Sequence, residues 1–220
     1  RKDYAGLEKA GSELLAVPSI ASSKAGSDIR GVLEKSSFKR GQDLEIEKKY
    51  GESAQVFEAF AKQNPTSNLA VTAMFNAGVN FERAGVNASA IQAYQSVLGS
   101  KDASAEKLKP KARRLLAKQY QDSAQFEEAA KLYKQAADES PNDPLTPNMI
   151  YNSAVLYEAL GKSDEAIRSY TAFTKVNKKH SDNIEAVYSM AQIHRKAGQN
   201  GAAIARYTEY VDGGGTDREK

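Results

Sequence analysis

GKSDEAIRSYTAF, from Gly161 to Phe173, is followed 37 residues later by GQNGAAIARYTEY, from Gly198 to Tyr210. Gly, Ala, Ile, Tyr and Thr stand at the same offsets in both. The same pattern runs backward through AQFEEAAKLYKQA (Ala124 to Ala136), GVNASAIQAYQSV (Gly85 to Val97) and KKYGESAQVFEAF (Lys48 to Phe60). A column of small residues reads Ser53, Ala90, Ala129, Ala166, Ala203, at intervals of 37, 39, 37 and 37. Four residues on stands a ring, Phe57, Tyr94, Tyr133, Tyr170, Tyr207. Three further come Phe60, Val97, Ala136, Phe173, Tyr210. Positions i, i+4 and i+7 share one face of a helix.

A second helical face precedes each of these. Gly41, Gly78, Ala117, Ala154 and Ala191 are followed three residues later by Leu44, Phe81, Tyr120, Tyr157 and His194. Each unit is therefore a helix pair, with Gly85, Gly161 or Gly198 between its helices and Lys48 or Ala124 in the other two copies. A reversing chain favours a residue that tolerates positive φ at that point. QNPTSN (63 to 68) and ESPNDPLTP (139 to 147) stop the second helices, because proline cannot donate its amide into a continuing helix. A small residue on one helix lets its neighbour approach while a ring fills the space beside it, and stacking of pairs completes a core that no pair can close alone.

These columns resemble the tetratricopeptide repeat (TPR) family, whose unit of about 34 residues carries small residues and a ring on its first helix, Gly at the turn, then Ala and Tyr or Phe on the second. Pro65 and Pro141 stand eight residues after Phe57 and Tyr133, as that pattern expects. The resemblance implies an all-α, right-handed α-solenoid of five tandem helix-turn-helix repeats over 34–217 (about 34–67, 71–104, 110–143, 147–180 and 184–217). Residues 218–220 form a tail. The longer spacing and the missing terminal proline of three copies are departures that bear on loop geometry.

Residues 1–33 fit the register poorly. Leu7, Leu14 and Leu15 form an apolar stripe that Pro18 ends, and SDIRGVLEK restarts a helix with Ser27 as its expected N-cap. The segment is read as capping helices or a degenerate repeat. The chain opens at Arg1 without Met and ends in VDGGGTDREK, and is read as part of something longer.

Composition narrows the chemistry. Of 220 residues, 31 are basic and 28 acidic, a net charge of +3 that does not announce a nucleic-acid binder. No cysteine is present, which excludes disulfides, thiolate metal sites and thiol nucleophiles. No apolar run reaches bilayer-spanning length. No nucleophile, base and orienting group stand together, so neither catalysis nor a cofactor is expected. His194 occupies a core column as a packed or half-buried substitute for tyrosine, and His180 falls in a link. The GGG at 213–215 lacks the Lys and Ser or Thr of a phosphate loop and is read as a flexible tail.

From Lys101 to Lys118 seven cations (Lys101, Lys107, Lys109, Lys111, Arg113, Arg114, Lys118) face only Asp102 and Glu106. Pro110 suits a first helical turn, placing much of this cluster at the start of the third repeat's first helix. It is either a solvated face or an anion-recognising patch, and an acidic protein segment is favoured over nucleic acid because the rings are committed to the core.

In TPR proteins the first helices form the concave face. The resemblance places Phe75, Arg114, Lys118, Tyr151, Asn152, Tyr188, Gln192 and Arg195 there as partner-binding residues, with Phe38, Val79 and Val155 beside them. Tyr151 and Tyr188 have an equal alternative, packing between adjacent repeats. Arg114, Lys118 and Asn152 are similar to the cation and amide set with which the chaperone-binding branch grips a terminal carboxylate. Glu185 and Ser189 stand where its remaining basic residues would be, and that specificity is not carried over. The expected function is a non-catalytic scaffold for a peptide or partner protein. The stretch 50–68 also resembles TPR segments of bacterial envelope proteins, implying a periplasmic setting, with the cytoplasm as alternative. Two rivals remain: a regulatory arm of an enzyme whose catalytic domain lies elsewhere, and nucleic-acid binding through 101–118.

Overall fold

The computed structural model describes residues 3–176 and 182–214. Among the described residues there are twelve α-helices, one 3-10 turn and no strand. An N-terminal α1 (Tyr4–Leu15) and short α2 (Pro18–Ala21) precede α3 (Lys24–Ile46) and α4 (Tyr50–Gln63). Then come α5 (Ala70–Arg83) with α6 (Asn87–Gly99), and α7 (Lys109–Asp122) with α8 (Phe126–Glu139). The last pairs are α9 (Thr146–Ala159) with α10 (Ser163–Val176), and α11 (Asp182–Lys196) with α12 (Asn200–Asp212). The chain divides into two compact units, Arg1–Ala112 and Arg113–Lys220, so most of α7 belongs to the second.

Two 14-residue helices, a three-residue turn and a six-residue link fill the 37-residue period. The single 39-residue step comes from the longer link 100–108, which contains the 3-10 turn Ala103–Ala105. Every pair closes with the same turn. The residues Lys48 (φ 60), Gly85 (φ 74), Ala124 (φ 58), Gly161 (φ 70) and Gly198 (φ 71) all adopt the left-handed conformation. One residue later, the amides of Lys49, Val86, Gln125, Lys162 and Gln199 donate back to the carbonyls of Leu44, Phe81, Tyr120, Tyr157 and His194 at 2.8–2.9 Å. This wide backbone bond satisfies carbonyls that a helix end would leave orphaned.

Inside the pairs the small column meets the rings. A Cβ on Gly41 would lie 2.8 Å from Phe57 Cε1, and one on Gly78 would lie 2.6 Å from Tyr94 Cε1. Phe57, Phe60, Tyr94 and Val97 fill the core of the first unit, and Tyr133, Tyr170, Phe173 and Met190 that of the second. Each such side chain contributes about 1.5–3 kcal/mol on burial.

Two further columns run alongside, one polar and one that turns from polar to apolar along the chain. The hydroxyls of Tyr94, Tyr133 and Tyr170 each donate to the side chain twelve residues earlier, Glu82 (3.0 Å), Gln121 (3.0 Å) and Glu158 (2.7 Å). In the first repeat Phe57 has no hydroxyl, and Glu45 at the equivalent place takes Arg83 of the next repeat at 2.6 Å. A second column reads Asp43, Asn80, Gln119, Leu156, Ile193. Asp43 accepts the Tyr4 hydroxyl at 2.5 Å and pairs with Lys39 at 3.3 Å. The carboxamide oxygens of Asn80 and Gln119 are buried without a partner.

The N-terminal segment corrects two expectations. The N-cap of α3 is Ser23, whose hydroxyl accepts the Gly26 amide at 3.2 Å, and Ser27 lies inside the first turn with its own amide on the Ser23 carbonyl. The earlier start is fixed by a tight corner with α2: a Cβ on Gly26 would lie 2.2 Å from the Ile20 carbonyl oxygen, and Arg30 donates to the Ala21 carbonyl at 2.6 Å. In α1 the leucine stripe is only partly covered, with Leu15 half-buried. Leu7 and Leu14 are exposed, and the buried position is Gly11, against the Leu33 side chain. A close backbone approach, rather than leucine burial, seats this helix on α3.

Candidate functional site

The residues expected on the first-helix face divide between the two units. Phe38 and Phe75 belong to the first. Phe38 sits edge-on to Phe57 and Phe60, with centroids 5.2 and 5.5 Å apart, and Phe75 tilts onto Tyr94 at 6.1 Å. In the second unit Tyr151 packs on Tyr170 (5.9 Å) and Phe173 (5.0 Å), and Tyr188 on Tyr207 (5.9 Å) and Tyr210 (5.1 Å). These rings therefore contact the second helix of their own pair, a third arrangement beside the two expected for Tyr151 and Tyr188. All four remain half-buried, so each keeps part of its surface open.

The column Phe38, Phe75, Arg114, Tyr151, Tyr188 carries a ring in every repeat but the third. There Arg114 stands half-buried in the ring's place, and the opposite position holds the small Ala136 instead of Phe60 or Phe173. Among the described residues Arg114 makes no ion pair. Lys118, one turn on, is exposed and bridges Asp122 at 3.2 Å.

Both cations act electrostatically on the Tyr133 hydroxyl, whose ring is buried in the core. Burial pushes that hydroxyl above the ordinary tyrosine value, a hydrogen bond from Asn152 acts against burial, Asp122 adds to the rise, and the charges of Lys118 and Arg114 oppose it. Three of the expected residues, Arg114, Lys118 and Asn152, thus influence one buried phenol of α8.

The other side of the face has the opposite sign. Burial raises the Tyr151 hydroxyl, and Asp182, Glu185 and Glu158 raise it further. Gln192 donates to the Tyr188 hydroxyl at 2.6 Å, which fixes both side chains along α11, while Arg195 is exposed. The second unit therefore presents cations and amide groups on α7 and α9 next to carboxylates around Tyr151. The cationic run is divided. Lys101, Lys107, Lys109 and Lys111 lie in the first unit, where Lys109 pairs with Glu106 at 2.6 Å, and Arg113 pairs with Glu139 in the second.

His194 is half-buried with Nδ1 2.6 Å from Gln199 Oε1, across the turn. His180 and Gly215 lie outside the described residues. No group of His, Asp and Glu able to hold a metal ion occurs among the described residues, and no described helix is long and apolar enough to cross a membrane.

The tetratricopeptide repeat family model matches residues 38–106, 114–172 and 151–218, which together are most of the chain. Sequence comparison with curated proteins gives no match. Among solved structures, MamA (AMB-1) aligns with a TM-score of 0.56 at 14% identity over 86% of this chain and 96% of its own. BtubC (BKLC) from P. vanneervenii aligns with a TM-score of 0.53 at 14% identity over 99% of this chain and 93% of its own. Kinesin light chain TPR-like repeats from Podosopora anserina give a TM-score of 0.52 at 15% identity, over 81% and 93%. At these identities the likeness is one of fold.

Proposed function

We propose that this chain, which belongs to the tetratricopeptide repeat family, is a non-catalytic scaffold that holds a peptide or partner protein along the first-helix face of its second unit. The observation that carries the reading is the substitution in the ring column: Arg114 replaces the ring found in the other four repeats, with Lys118 one turn on along the same helix face. A half-buried guanidinium that makes no ion pair keeps planar, partly desolvated donors available to an anion. A carboxylate-bearing segment of the partner supplies that anion, and the neighbouring Tyr151, Tyr188 and Val155 supply apolar contact.

The carboxylates near Tyr151 set the direction of such a segment. Its acidic part lies over α7, and its basic or neutral part over α9 and α11. Charge then governs encounter, and the ring surfaces hold the complex. A bacterial-envelope setting is part of the same proposal and draws only on the resemblance of residues 50–68; cell fractionation with an antibody to the chain checks it.

The test is capture of the native partner from lysate by the parent and by the double variant Arg114→Glu, Lys118→Glu, with circular dichroism confirming that both are folded. Capture should fall several-fold in the variant and stay unchanged in Glu128→Lys. Equal capture by parent and variant would remove the cations from the site. Binding that survives reversal of Arg114 and Lys118 yet collapses with salt and nuclease would favour the nucleic-acid rival through Lys101, Lys107 and Lys111 instead.

A further inference from the structure

The second helices of the pairs begin in two ways. The first turns of α4, α8 and α10 carry Glu52, then Glu127 with Glu128, then Asp164 with Glu165. Carboxylates there complement the positive end of a helix. The first turns of α6 and α12 carry none, and these helices open on Asn87 and Asn200, three residues before Ala90 and Ala203 of the small column. Neither has a side-chain cap. Both asparagines are exposed. Asn87 is exposed although another repeat follows its own, so the openness belongs to the turn and not to the end of the array.

The residues that follow them differ, Ala88 against Gly201. Asn200 and Gly201 form the one Asn-Gly step of the sequence. Nothing lies within 4 Å of the place a Cβ on Gly201 would take. Its amide is among those that a helix start leaves without an intrahelical partner. It makes no hydrogen bond among the described residues, and neither does the Asn200 carboxamide. The chain on either side is held: the Gln199 amide donates to the His194 carbonyl at 2.9 Å, and the Ala203 amide to the Gln199 carbonyl at 3.0 Å. The peptide group between Asn200 and Gly201 is therefore open to solvent on an ordered turn.

We propose that Asn200 is a self-modifying site, whose carboxamide is converted to a carboxylate by its own backbone and water. The Gly201 nitrogen gives its proton to solvent hydroxide and attacks Asn200 Cγ. The bond from Cγ to Nδ2 breaks, Nδ2 leaves as ammonia, and a cyclic succinimide remains. Water then opens the ring, at Cγ to give aspartate or at the main-chain carbonyl to give isoaspartate. The balance is one water in and one ammonia out, with no oxidant or reductant. Glycine matters because it has no Cβ to shield the attacking nitrogen, which Ala88 has beside Asn87. The positive end of α12 favours both the nitrogen anion and the oxyanion that forms on Cγ. Arg195 and Lys196, exposed in the last turn of α11, add positive charge on the other side of the turn. The carboxylate so made is the one that α4, α8 and α10 already carry in their first turns. The site does not depend on the groove proposed above.

The test incubates the folded chain in mildly alkaline heavy-oxygen water and reads the label at each asparagine by peptide mass spectrometry. Label should enter residue 200 at least about tenfold faster than residue 87, and faster still as pH is raised. Gly201→Ala should slow residue 200 to the level of Asn87, and Ala88→Gly should bring Asn87 up to the level of Asn200. Both variants replace an exposed residue, and circular dichroism confirms that each is folded. Asn200→Asp, which reproduces the aspartate product, should melt no lower than the parent. Label that enters residue 200 in the urea-unfolded chain and not in the folded one would show that the helix start protects the step, and overturns the proposal. Equal labelling of residues 87 and 200 overturns it too, because the glycine would then have no part. A lower melting temperature in Asn200→Asp would refute the fit of a carboxylate at this helix start.

Discussion

Replacing Gly78 by alanine isolates the close approach on which the helix pairs are built. A Cβ at Gly78 would lie 2.6 Å from Tyr94 Cε1, 2.8 Å from Cδ1 and 3.2 Å from Cζ. Carbon contacts relax at about 3.5–4.0 Å, so the ring must retreat by roughly 1 Å. Tyr94 is fully buried and its hydroxyl is held by Glu82 at 3.0 Å, which leaves the ring nowhere to go without moving a helix. Overpacking of this kind costs about 1–3 kcal/mol. Alanine returns about 0.8–1 kcal/mol of helix propensity, for a net loss of up to about 2 kcal/mol. Gly31→Ala is the internal standard: it is also mid-helix, in α3, but nothing lies within 4 Å of its Cβ position, so it should gain about 0.5–1 kcal/mol. Urea unfolding followed by circular dichroism should therefore separate the two variants by about 1–3 kcal/mol, with unchanged slopes. In the Gly78→Ala background, Tyr94→Leu should cost less than it does alone. If Gly78→Ala stabilises as much as Gly31→Ala, the ring is not held and the packing argument fails.

At the α7–α8 turn, Ala124→Gly should raise stability by up to about 1 kcal/mol, since alanine holds a left-handed φ of 58° there at a cost of about 1–2 kcal/mol, part of which glycine gives back as chain entropy; unchanged denaturation midpoints would contradict this. Ala166→Phe, at a fully buried contact, should lose at least about 1–3 kcal/mol, and an unaltered melting temperature would show the helix register to be wrong. Glu127 is bracketed by Lys131 at 2.7 Å and Lys162 at 2.8 Å, which hold its carboxyl down at about 2. Because that value lies below the unfolded one, the stabilisation is present above the ordinary glutamate range and is lost as pH falls through about 2. A carbon-detected titration should show it, with Lys131→Ala raising the midpoint more than Lys162→Ala; a midpoint in the ordinary range would mean both ions are solvent-separated.

The fold was legible because burial and periodicity coincide: the small and aromatic columns recur at helical offsets, and the left-handed turn position could be read even where Lys48 and Ala124 replace glycine. What escaped depends on contacts across elements. Ser23 and Ser27 are equally good caps on paper, and only the collision of Gly26 with the Ile20 carbonyl chooses between them. Leu7 and Leu14 resemble a core stripe, yet α1 is seated by Gly11. The tyrosine bonds to Glu82, Gln121 and Glu158 do have a sequence signal, a twelve-residue offset within each repeat, which is easily passed over when rings are read only as hydrophobic. In the candidate site, Arg114 and Lys118 share a face by spacing alone. The carboxylates that raise Tyr151, Asp182 and Glu185, come from the following repeat, and their reach across repeats cannot be read from spacing within one.

The column Asp43, Asn80, Gln119, Leu156, Ile193 has a bearing on how the molecule comes apart. A buried amide oxygen without a partner costs about 1–3 kcal/mol, whereas a leucine or isoleucine in the same place adds to the core. Repeats that each contact only their neighbours open separately, according to their own balance. The array is thus graded along its length, loosest around Asn80 and Gln119 and tightest around Leu156 and Ile193. Amide protons of α5 and α7 should therefore exchange with solvent before those of α9, and equal protection in all three helices would show that the unpartnered amides do not set local stability.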